Sequence, residues 1–519
     1  MKKTLSAIGL LLTVCYGHSQ TKVFREVGED ISSEVKTIRQ DNNLVGYLVF
    51  TQLEKANADS FNYRITIMDE NLNDIGTVNF REIKLSLQAV SFEQDVLCLA
   101  YLKSNFFNRS FKNRKAYSEG LKNEKSAVFL QFLGLDGKII KSNSYDIQVT
   151  PQTTNSWYEG YTGTGYLKHS LQLSNIPLKG FACFYGDDRK SNLFIFNPAG
   201  EILWQKNTNE QAQAFVLLAS KQGIYLLVKK KDHMAEGGFE LLGYDINDGS
   251  VYPKYTLKDK QGHALKVITF DNDPVSGKPY IAGYIIDDRK GNFYYSAKQL
   301  ARGPYAGVYT ININGTKKSE IHEVFSYWDD GSQSFITRKG HFVDNNTYPR
   351  FVRSFKDFQG NTYFAGSTVI RKARWGSMFF TIVTIPLVVP PLIIASAGYS
   401  KGSIKGAVLM KQTEKGAISV DNFIEANNTG DYPGMMPISM YDKRSFYFVS
   451  NPDTKSNYII IDDFRDIFVY NVNQKKVVRK VPHRDGNIRS NVFPAKEGHV
   501  MVATYNKKER VTQVSIEAL

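Results

Sequence analysis

The sequence VFLQFLGLDG, residues 128–137, is an apolar strand that ends in an Asp-Gly turn. Aspartate and glycine tolerate the positive φ angles of a tight hairpin, so this stretch predicts two antiparallel strands joined at Asp136 and Gly137. Six other apolar stretches end in polar turns and predict the first strand of further hairpins: residues 63–68, 193–196, 239–246, 308–313, 407–411 and 467–472. The hairpin therefore repeats along the chain.

A second apolar strand precedes each hairpin. These strands are residues 45–50, 96–101, 181–185, 224–228, 280–286, 362–366, 446–449 and 500–504. A weaker strand precedes most of them, for example residues 215–219, so each unit contains four strands, named A to D in chain order. A four-stranded sheet with two apolar faces needs a neighbour on both sides, and radial stacking of similar units provides one.

The last unit, residues 491–519, lacks its fourth strand, and residues 21–27 near the other end of the chain supply one. We therefore expect an all-β fold of about eight four-stranded blades, with seven as the alternative, closed by pairing of the N- and C-terminal strands. The pattern resembles the β-propeller superfamily over essentially the whole chain and is similar to exported bacterial propeller proteins of unassigned function. It lacks the Trp-Asp signature of WD repeats and the aspartate box of sialidases. A likeness of architecture implies no activity.

Residues 1–19 have the pattern of a secretory signal peptide. Lys2 and Lys3 precede an apolar stretch at residues 5–16 and a small-residue cleavage site at residues 17–19. We predict export to the periplasm or the cell exterior, and a single propeller domain over residues 20–519. The two cysteines of this domain, Cys98 and Cys183, lie in apolar strands of separate units, which favours buried free thiols over a disulfide.

Four long insertions interrupt the repeat, at residues 103–126, 148–166, 287–304 and 371–405. By the predicted register, all four leave from the face that carries the B–C and D–A connections. Aromatic and basic side chains there predict a ligand-binding rim, and the residues are Trp157, Tyr158, Tyr161, Arg109, Lys112 and Arg114. Stacking and charge suit a glycan or an anionic surface. The alternative is that the long loops cover one another and bind nothing.

The insertion at residues 371–405 contains an apolar stretch, residues 377–400, without a charged side chain. Arg371 and Lys401 flank it, and the predicted contact residues within it are Phe379, Phe380, Ile382, Leu387, Leu392 and Ile393. Three prolines argue against a straight transmembrane helix, and a single span would place the two halves of a closed ring on opposite sides of a membrane. Three alternatives remain: shallow contact with a membrane, contact with a protein partner or a second copy, and burial against the propeller.

The sequence contains no nucleophile elbow, metal-ligand spacing or cofactor-binding motif. We therefore predict a non-enzymatic binding or scaffolding module of the cell envelope, with no catalytic residue, cofactor or metal. The expected partners are an envelope protein, a glycan or an anionic lipid surface, because the net charge is +14. Export argues against nucleic acid.

The alternative function is a propeller enzyme that acts on glycans through acidic residues near the axis. The candidates are Asp187, Asp188, Asp287, Asp288, Asp329 and Asp330. The first two of these pairs occupy equivalent turns of two units, between strands B and C. Equivalent placement favours a structural role, in which the aspartates accept hydrogen bonds from nearby backbone amides.

Overall fold

The computed structural model of the chain describes residues 20–25, 32–40, 43–57, 60–105, 112–147, 169–186, 191–208, 212–230, 238–287, 305–330, 334–373, 400–425, 431–433, 442, 444–463 and 465–519. Within these residues, 34 strands, numbered β1 to β34 in chain order, form eight antiparallel sheets. In seven sheets the four main strands follow one another in chain order from A to D.

The first four blades consist of the following strands. Blade 1 contains β2 (Ser32–Gln40), β3 (Asn43–Lys55), β4 (Ser60–Asp69) and β5 (Asp74–Ile83). Blade 2 contains β6 (Leu85–Glu93), β7 (Val96–Ser104), β8 (Ser126–Gly134) and β9 (Ile139–Asp146). Blade 3 contains β10 (His169–Ile176), β11 (Gly180–Gly186), β12 (Ser191–Phe196) and β13 (Ile202–Thr208). Blade 4 contains β14 (Ala212–Ala219), β15 (Ile224–Lys230), β16 (Phe239–Tyr244) and β17 (Tyr255–Thr256).

The remaining blades follow the same order until the last. Blade 5 contains β18 (Leu265–Asn272), β19 (Pro279–Ile286), β20 (Tyr305–Ile313) and β21 (Ile321–Tyr327). Blade 6 contains β22 (Tyr348–Lys356), β23 (Thr362–Ala373), β24 (Ser400–Gln412) and β25 (Ile418–Ile424). Blade 7 contains β27 (Ser445–Asn451), β28 (Ser456–Asp463), β29 (Asp466–Asn471) and β30 (Lys476–Pro482). Blade 8 contains β32 (Ile488–Pro494), β33 (His499–Asn506), β34 (Val511–Ala518) and β1 (Gln20–Arg25).

Four short elements complete the described structure. They are β26 (Asp431–Pro433), β31 (Arg484–Asp485), helix α1 (Arg114–Lys122) and a 3-10 turn at Lys318–Glu320. No helix in the described ranges is long and apolar enough to cross a bilayer.

The middle strands are apolar throughout because a neighbouring blade covers each of their faces. In blade 2, every residue of β8 from Ser126 to Leu133 is buried, whereas the first four residues of the outer strand β9 are exposed. The predicted turn at Asp136 and Gly137 joins these strands, and Gly137 has a φ angle of 83°. Positive φ at this position requires a residue that tolerates the left-handed region, and glycine does so without strain.

Eight hydrophobic clusters hold the blades together, one at each interface of the ring. Seven lie between successive blades, and the eighth joins blade 8 to blade 1 through Tyr47, Met68, Met501 and Ile516. Strands A of successive blades, from blade 1 to blade 8, also contact one another. The protein is therefore an eight-bladed β-propeller, and the predicted blade number of eight is confirmed.

The two ends of the chain close this ring. Strand β1 pairs antiparallel with β34, in a register that runs from Gln20 opposite Ile516 to Arg25 opposite Val511. An ion pair between Lys22 and Asp74 connects the closing strand to blade 1. The predicted pairing of the N- and C-terminal strands is confirmed.

One strand assignment in blade 7 is wrong. The sequence pattern placed strand B at residues 446–449, but these residues belong to β27, the strand A of that blade, and strand B is β28. Strand β27 contains several half-exposed residues, as expected beside an open channel, while β28 is buried over most of its length. The most continuously apolar run therefore identifies strand B, and the shorter run before it is strand A.

Cys98 and Cys183 lie in one hydrophobic cluster between blades 2 and 3, and both thiols are buried and free. Burial raises the pKa of both thiols, so they remain protonated and unreactive at neutral pH. The prediction of buried free thiols is confirmed.

Candidate functional site

The strand ends that flank three of the predicted insertions lie on the B–C face of the ring. Ser104 pairs with Ser126 in blade 2, Ile286 with Tyr305 in blade 5, and Ala373 with Ser400 in blade 6. The fourth insertion follows Ile147 at the end of blade 2 and leads into strand A of blade 3. Most of the residues within these insertions lie outside the described ranges.

Helix α1 is the described part of the first insertion. Asn113 caps its N-terminus, because the Oδ1 atom of Asn113 accepts a hydrogen bond from the N–H of Ala116 at 2.9 Å. Lys112 and Arg114 are exposed at this end, and no residue of the helix is buried. The other predicted rim residues, Arg109, Trp157, Tyr158 and Tyr161, lie outside the described residues, so the ligand-binding rim stays a prediction.

The apolar insertion leaves blade 6 from a long hairpin. Strands β23 and β24 are 12 and 13 residues long, and Lys372 pairs with Lys401 near the end of the hairpin. Strand β26 pairs with β24 at residues 401–403 and makes the base three-stranded. The backbone of Arg371 and Lys401 belongs to this base. The contact residues Phe379, Phe380, Ile382, Leu387, Leu392 and Ile393 lie outside the described residues.

The opposite end of the channel contains an open cavity of about 190 Å³. Its lining comes from strands A, the A–B turns and the first residues of strands B of blades 1, 5, 6, 7 and 8, and therefore from segments far apart in sequence. We call this cavity the A–B mouth. Its polar lining residues are Arg39, Asp271, Asn272, Tyr280, Ser354, Lys356, Ser450 and Glu497.

Charged side chains from blades 1, 5, 6 and 8 meet around the A–B mouth. Asp271 is exposed to the channel but surrounded by protein, and this loss of bulk water raises the pKa of its carboxyl. The N–H of Asn272 and the positive charges of Arg353 and Arg39 oppose the rise. Burial lowers the pKa of Arg39, against the effects of Tyr47 and Asp271, but a guanidinium remains protonated at neutral pH.

Arg353 owes its position to a β-bulge. The pairing of β22 with β23 shifts between Phe351 and Arg353, so Val352 is the extra residue. Both Val352 and Arg353 are exposed although they lie in the middle of a strand A. Adjacent blades cover the two faces of this strand and strand B covers its outer edge, so the exposed side chains face the channel. Within the described residues, Arg353 has no ion pair or hydrogen-bond partner.

A buried ion pair forms part of the wall between blades 5 and 6. The Nζ atom of Lys356 lies 3.2 Å from Oδ2 of Asp273, with side-chain exposures of 6% and 11%. The same Nζ lies 5.4 Å from the centre of the Tyr280 ring. Because its charge is neutralised locally, Lys356 contributes less to the potential of the cavity than Arg353 does.

Aromatic rings form the apolar part of the wall. The rings of Phe355 and Phe448, from blades 6 and 7, have centroids 3.9 Å apart, and Phe358 lies beside them in the lining. The Oγ atom of Ser354 is buried and has no hydrogen-bond partner among the described atoms. The A–B mouth therefore combines an apolar wall, unpaired polar groups and charges of both signs.

The described acidic candidates for catalysis do not line this cavity. Asp287 follows strand B of blade 5, and Asp329 and Asp330 are exposed after strand D, where Asp329 Oδ2 lies 3.6 Å from Nε of Arg338. Asp187, Asp188 and Asp288 lie outside the described residues. Among described side chains, no group of three or more His, Cys, Asp or Glu is arranged to hold a metal ion.

A third Asp-Asp turn, which the sequence reasoning missed, shows what such a pair does in this fold. Asp462 and Asp463 end strand B of blade 7, as Asp287 and Asp288 follow strand B of blade 5. The Oδ1 atom of Asp463 lies 3.4 Å from Nε of Arg444, and both side chains are fully buried. This aspartate anchors the start of strand A, which is a structural role.

Comparisons with known proteins found one family model and several solved structures. A model of a family of unknown function (DUF6770) matches residues 1–170. No curated protein matches the chain significantly. The Dos1 propeller is 8% identical, with 96% of this chain and 94% of that chain covered at a TM-score of 0.43. The WD40 domain of SCAP from fission yeast is also 8% identical, with 95% and 98% covered at a TM-score of 0.38.

A protein of unknown function from Bacteroides caccae is 10% identical, with 62% of this chain and 82% of that chain covered at a TM-score of 0.25. No conclusion about function follows from these likenesses.

Proposed function

We propose that the chain is an exported, non-enzymatic binding propeller that is held at a membrane surface by the apolar insertion of blade 6. The A–B face, on the other side of the ring, then points away from the membrane. The pattern of residues 1–19 supports export, and the closed ring supports a rigid binding module. The observation that carries the membrane contact is the pairing of Ala373 with Ser400.

This pairing fixes where the insertion begins and ends. Antiparallel partners have Cα atoms about 5 Å apart, so the chain leaves blade 6 and returns to it at nearly the same point. A segment with adjacent ends enters a leaflet and comes back on one side, and the closed ring stays on that side as well. The base of β23, β24 and β26 supports both ends on the B–C face.

Basic residues at the base of the hairpin support an anionic lipid surface over a neutral one. Arg371, Lys372 and Lys401 lie within the last three paired positions before the apolar stretch. A lysine or arginine near an anionic bilayer contributes about 1 kcal/mol of binding. Ten leucine, isoleucine, valine or phenylalanine side chains left in water would forgo roughly 15–30 kcal/mol of burial, so the stretch requires an apolar environment.

Flotation with vesicles of phosphatidylethanolamine and phosphatidylglycerol tests the proposal. The full chain is expected to float, and a variant with residues 377–400 replaced by a short Gly-Ser linker is expected to stay at the bottom of the gradient. The control variant has the same linker in place of residues 290–302, an insertion of blade 5 that leaves from the same face. This control should float.

Two outcomes would contradict the proposal. One is flotation of the 377–400 variant together with the full chain. The other is a full chain that does not float but forms oligomers that the variant does not form, as measured by size-exclusion chromatography with light scattering. That second result would favour contact between copies of the chain.

A further inference from the structure

We propose that the A–B mouth binds a small zwitterion of the amino-acid type, with its carboxylate at Arg353 and Arg39, its ammonium at Asp271, and its apolar part against Phe355 and Phe448. This site lies on the opposite face from the predicted rim, and it does not depend on membrane contact. Three features of the cavity support this assignment: its charges, its unpaired groups and its size.

The two signs of charge are both available at the A–B mouth. Arg353 does not line the cavity itself but faces the channel next to the lining residue Ser354, and its charge acts on Asp271. It has no ion pair or hydrogen bond within the described residues, and the only hydrogen bond described for the Asp271 carboxylate comes from the N–H of its neighbour Asn272. A guanidinium holds a carboxylate through two parallel hydrogen bonds. A ligand with one group of each sign satisfies both side chains at once, whereas a simple anion meets repulsion from Asp271 and a simple cation meets repulsion from Arg353.

The other charged residues of the cavity keep the numbers of positive and negative charges equal. Lys356 is neutralised by Asp273, Arg39 is partly buried beside Tyr47, and Glu497 lies in the A–B turn of blade 8. Among the described residues, the lining groups Arg39, Lys356, Asp271 and Glu497, together with the neighbouring Arg353 and Asp273, amount to three cations and three carboxylates. A site with equal numbers of opposite charges selects against ions with a net charge and in favour of neutral zwitterions.

The size and the walls limit the ligand to a single small molecule. Sites for drug-sized ligands are about 300–1,000 Å³, and this cavity is about 190 Å³. The rings of Phe355 and Phe448 offer an apolar surface for a hydrophobic side chain.

Three matched probes test the assignment of each charge. L-Phenylalanine has both groups, 3-phenylpropionate lacks the ammonium, and 2-phenylethylamine lacks the carboxylate. In calorimetric titrations of the full chain, phenylalanine should bind at least about tenfold more tightly than either of the other two, since a hydrogen bond to a charged group contributes about 1.5–3 kcal/mol.

Two variants should separate the two halves of the site. Arg353→Gln should weaken phenylalanine and phenylpropionate by about tenfold or more and leave phenylethylamine unchanged. Asp271→Asn should weaken phenylalanine and phenylethylamine and leave phenylpropionate unchanged or tighter. Arg484→Gln, an exposed arginine of β31 outside the cavity, is the matched control and should change none of the three.

Three results would overturn the proposal. The full chain could bind none of the probes at millimolar concentration, or it could bind phenylalanine and phenylpropionate equally. The third is that each variant loses the same affinity for all three probes. Both side chains face the channel and not a core, so neither variant should unfold at a lower temperature than the full chain. Both should also still float with vesicles, which separates a failure here from a failure of the membrane proposal.

Discussion

Arg39 and Asp271 lie on opposite sides of the channel, in the A strands of blades 1 and 5, and the charge of each shifts the pKa of the other. In a ring of eight blades, no two A strands are further apart around the axis. Both side chains also line the same cavity of about 190 Å³, so the channel is narrow at the A–B mouth. A small molecule bound there would contact several blades together, and would stabilise the ring as well as occupy it.

Asp271→Asn should stabilise the protein near neutral pH and have no effect in acid. The pKa of this carboxyl is raised in the folded protein, while in the unfolded chain it has its ordinary value of about 3.9. The folded protein therefore holds the proton more tightly, so the cost of ionisation is absent below the unfolded pKa and appears as pH rises through the folded pKa. Asparagine cannot ionise and avoids that cost.

Thermal melts at about pH 7 and about pH 3 measure this effect. The expected result is a higher melting temperature for the variant at about pH 7 and an unchanged one at about pH 3. Asp485→Asn, in an exposed strand of two residues, serves as the control. A gain of equal size at both pH values would show that the carboxyl charge is not responsible.

Val23→Cys combined with Gln513→Cys should form a disulfide that locks the ring. These residues are direct partners in β1 and β34, and both are exposed. Directly opposite residues have Cβ atoms about 4.5–5.5 Å apart on one face of the sheet. The bond closes a loop of nearly the whole chain, so the expected stabilisation is about 2–4 kcal/mol.

Mass spectrometry under oxidising conditions, followed by denaturant unfolding, checks this prediction. The matched control is Val23→Cys with Thr512→Cys, because neighbouring residues in a strand point to opposite faces. The control should remain reduced. Equal oxidation of the two variants would mean that β1 does not hold the described register.

Two tyrosines of blade 1 should respond oppositely to the loss of a hydroxyl. The Tyr63 hydroxyl accepts a hydrogen bond from the N–H of Leu85 at 2.8 Å, which ties blade 1 to blade 2. The Tyr47 hydroxyl is buried without a hydrogen-bond partner among the described atoms. Tyr63→Phe should cost about 1–3 kcal/mol, and Tyr47→Phe should be neutral or stabilising. Urea unfolding measures both, and a larger loss for Tyr47→Phe would contradict the described contacts.

Removing one partner of the buried Arg444–Asp463 pair should destabilise the protein strongly. Replacing both partners by apolar residues should destabilise it much less. Both side chains are fully buried, so Asp463→Leu leaves an uncompensated charge and should cost about 3–5 kcal/mol. The double variant Arg444→Met with Asp463→Leu should recover much of that loss. Chemical denaturation compares them, with Lys480→Gln as the control, because Lys480 is the exposed partner in its ion pair with Asp466 and the change should be below about 1 kcal/mol. Additive losses in the double variant would argue against the pair.

The blades could be predicted because strands B and C are apolar on both faces, as in β7 and β8, and because their turns contain Asp-Gly and similar pairs. Strands A gave weaker signals, since one side of each borders the open channel and its side chains are mixed. For this reason the apolar pattern assigns β27 as a strand B. The true strand B of blade 7, and the Asp462–Asp463 turn at its end, are then not recognised, although the same pair follows strand B in blade 5.

No sequence pattern predicts the A–B mouth. Arg39, Asp271 and Arg353 come from three blades, and nothing in their local sequence indicates that the ring brings them together. The bulge that exposes Arg353 depends on pairing between β22 and β23, which the alternation of apolar residues does not specify. A repeat alignment that located every strand A would have identified these positions as channel-facing.

The pairing of β1 with β34 also sets an order of events during synthesis. Gln20 and Ile516 are 496 positions apart in the sequence, and contacts between such distant segments form late in folding. Strand β1 is synthesised long before β34, so one edge of β1 has no partner until β34 has left the ribosome. A chain that stops short of residue 511 has nothing for β1 to bind, and proteases would meet an open ring with two free edges.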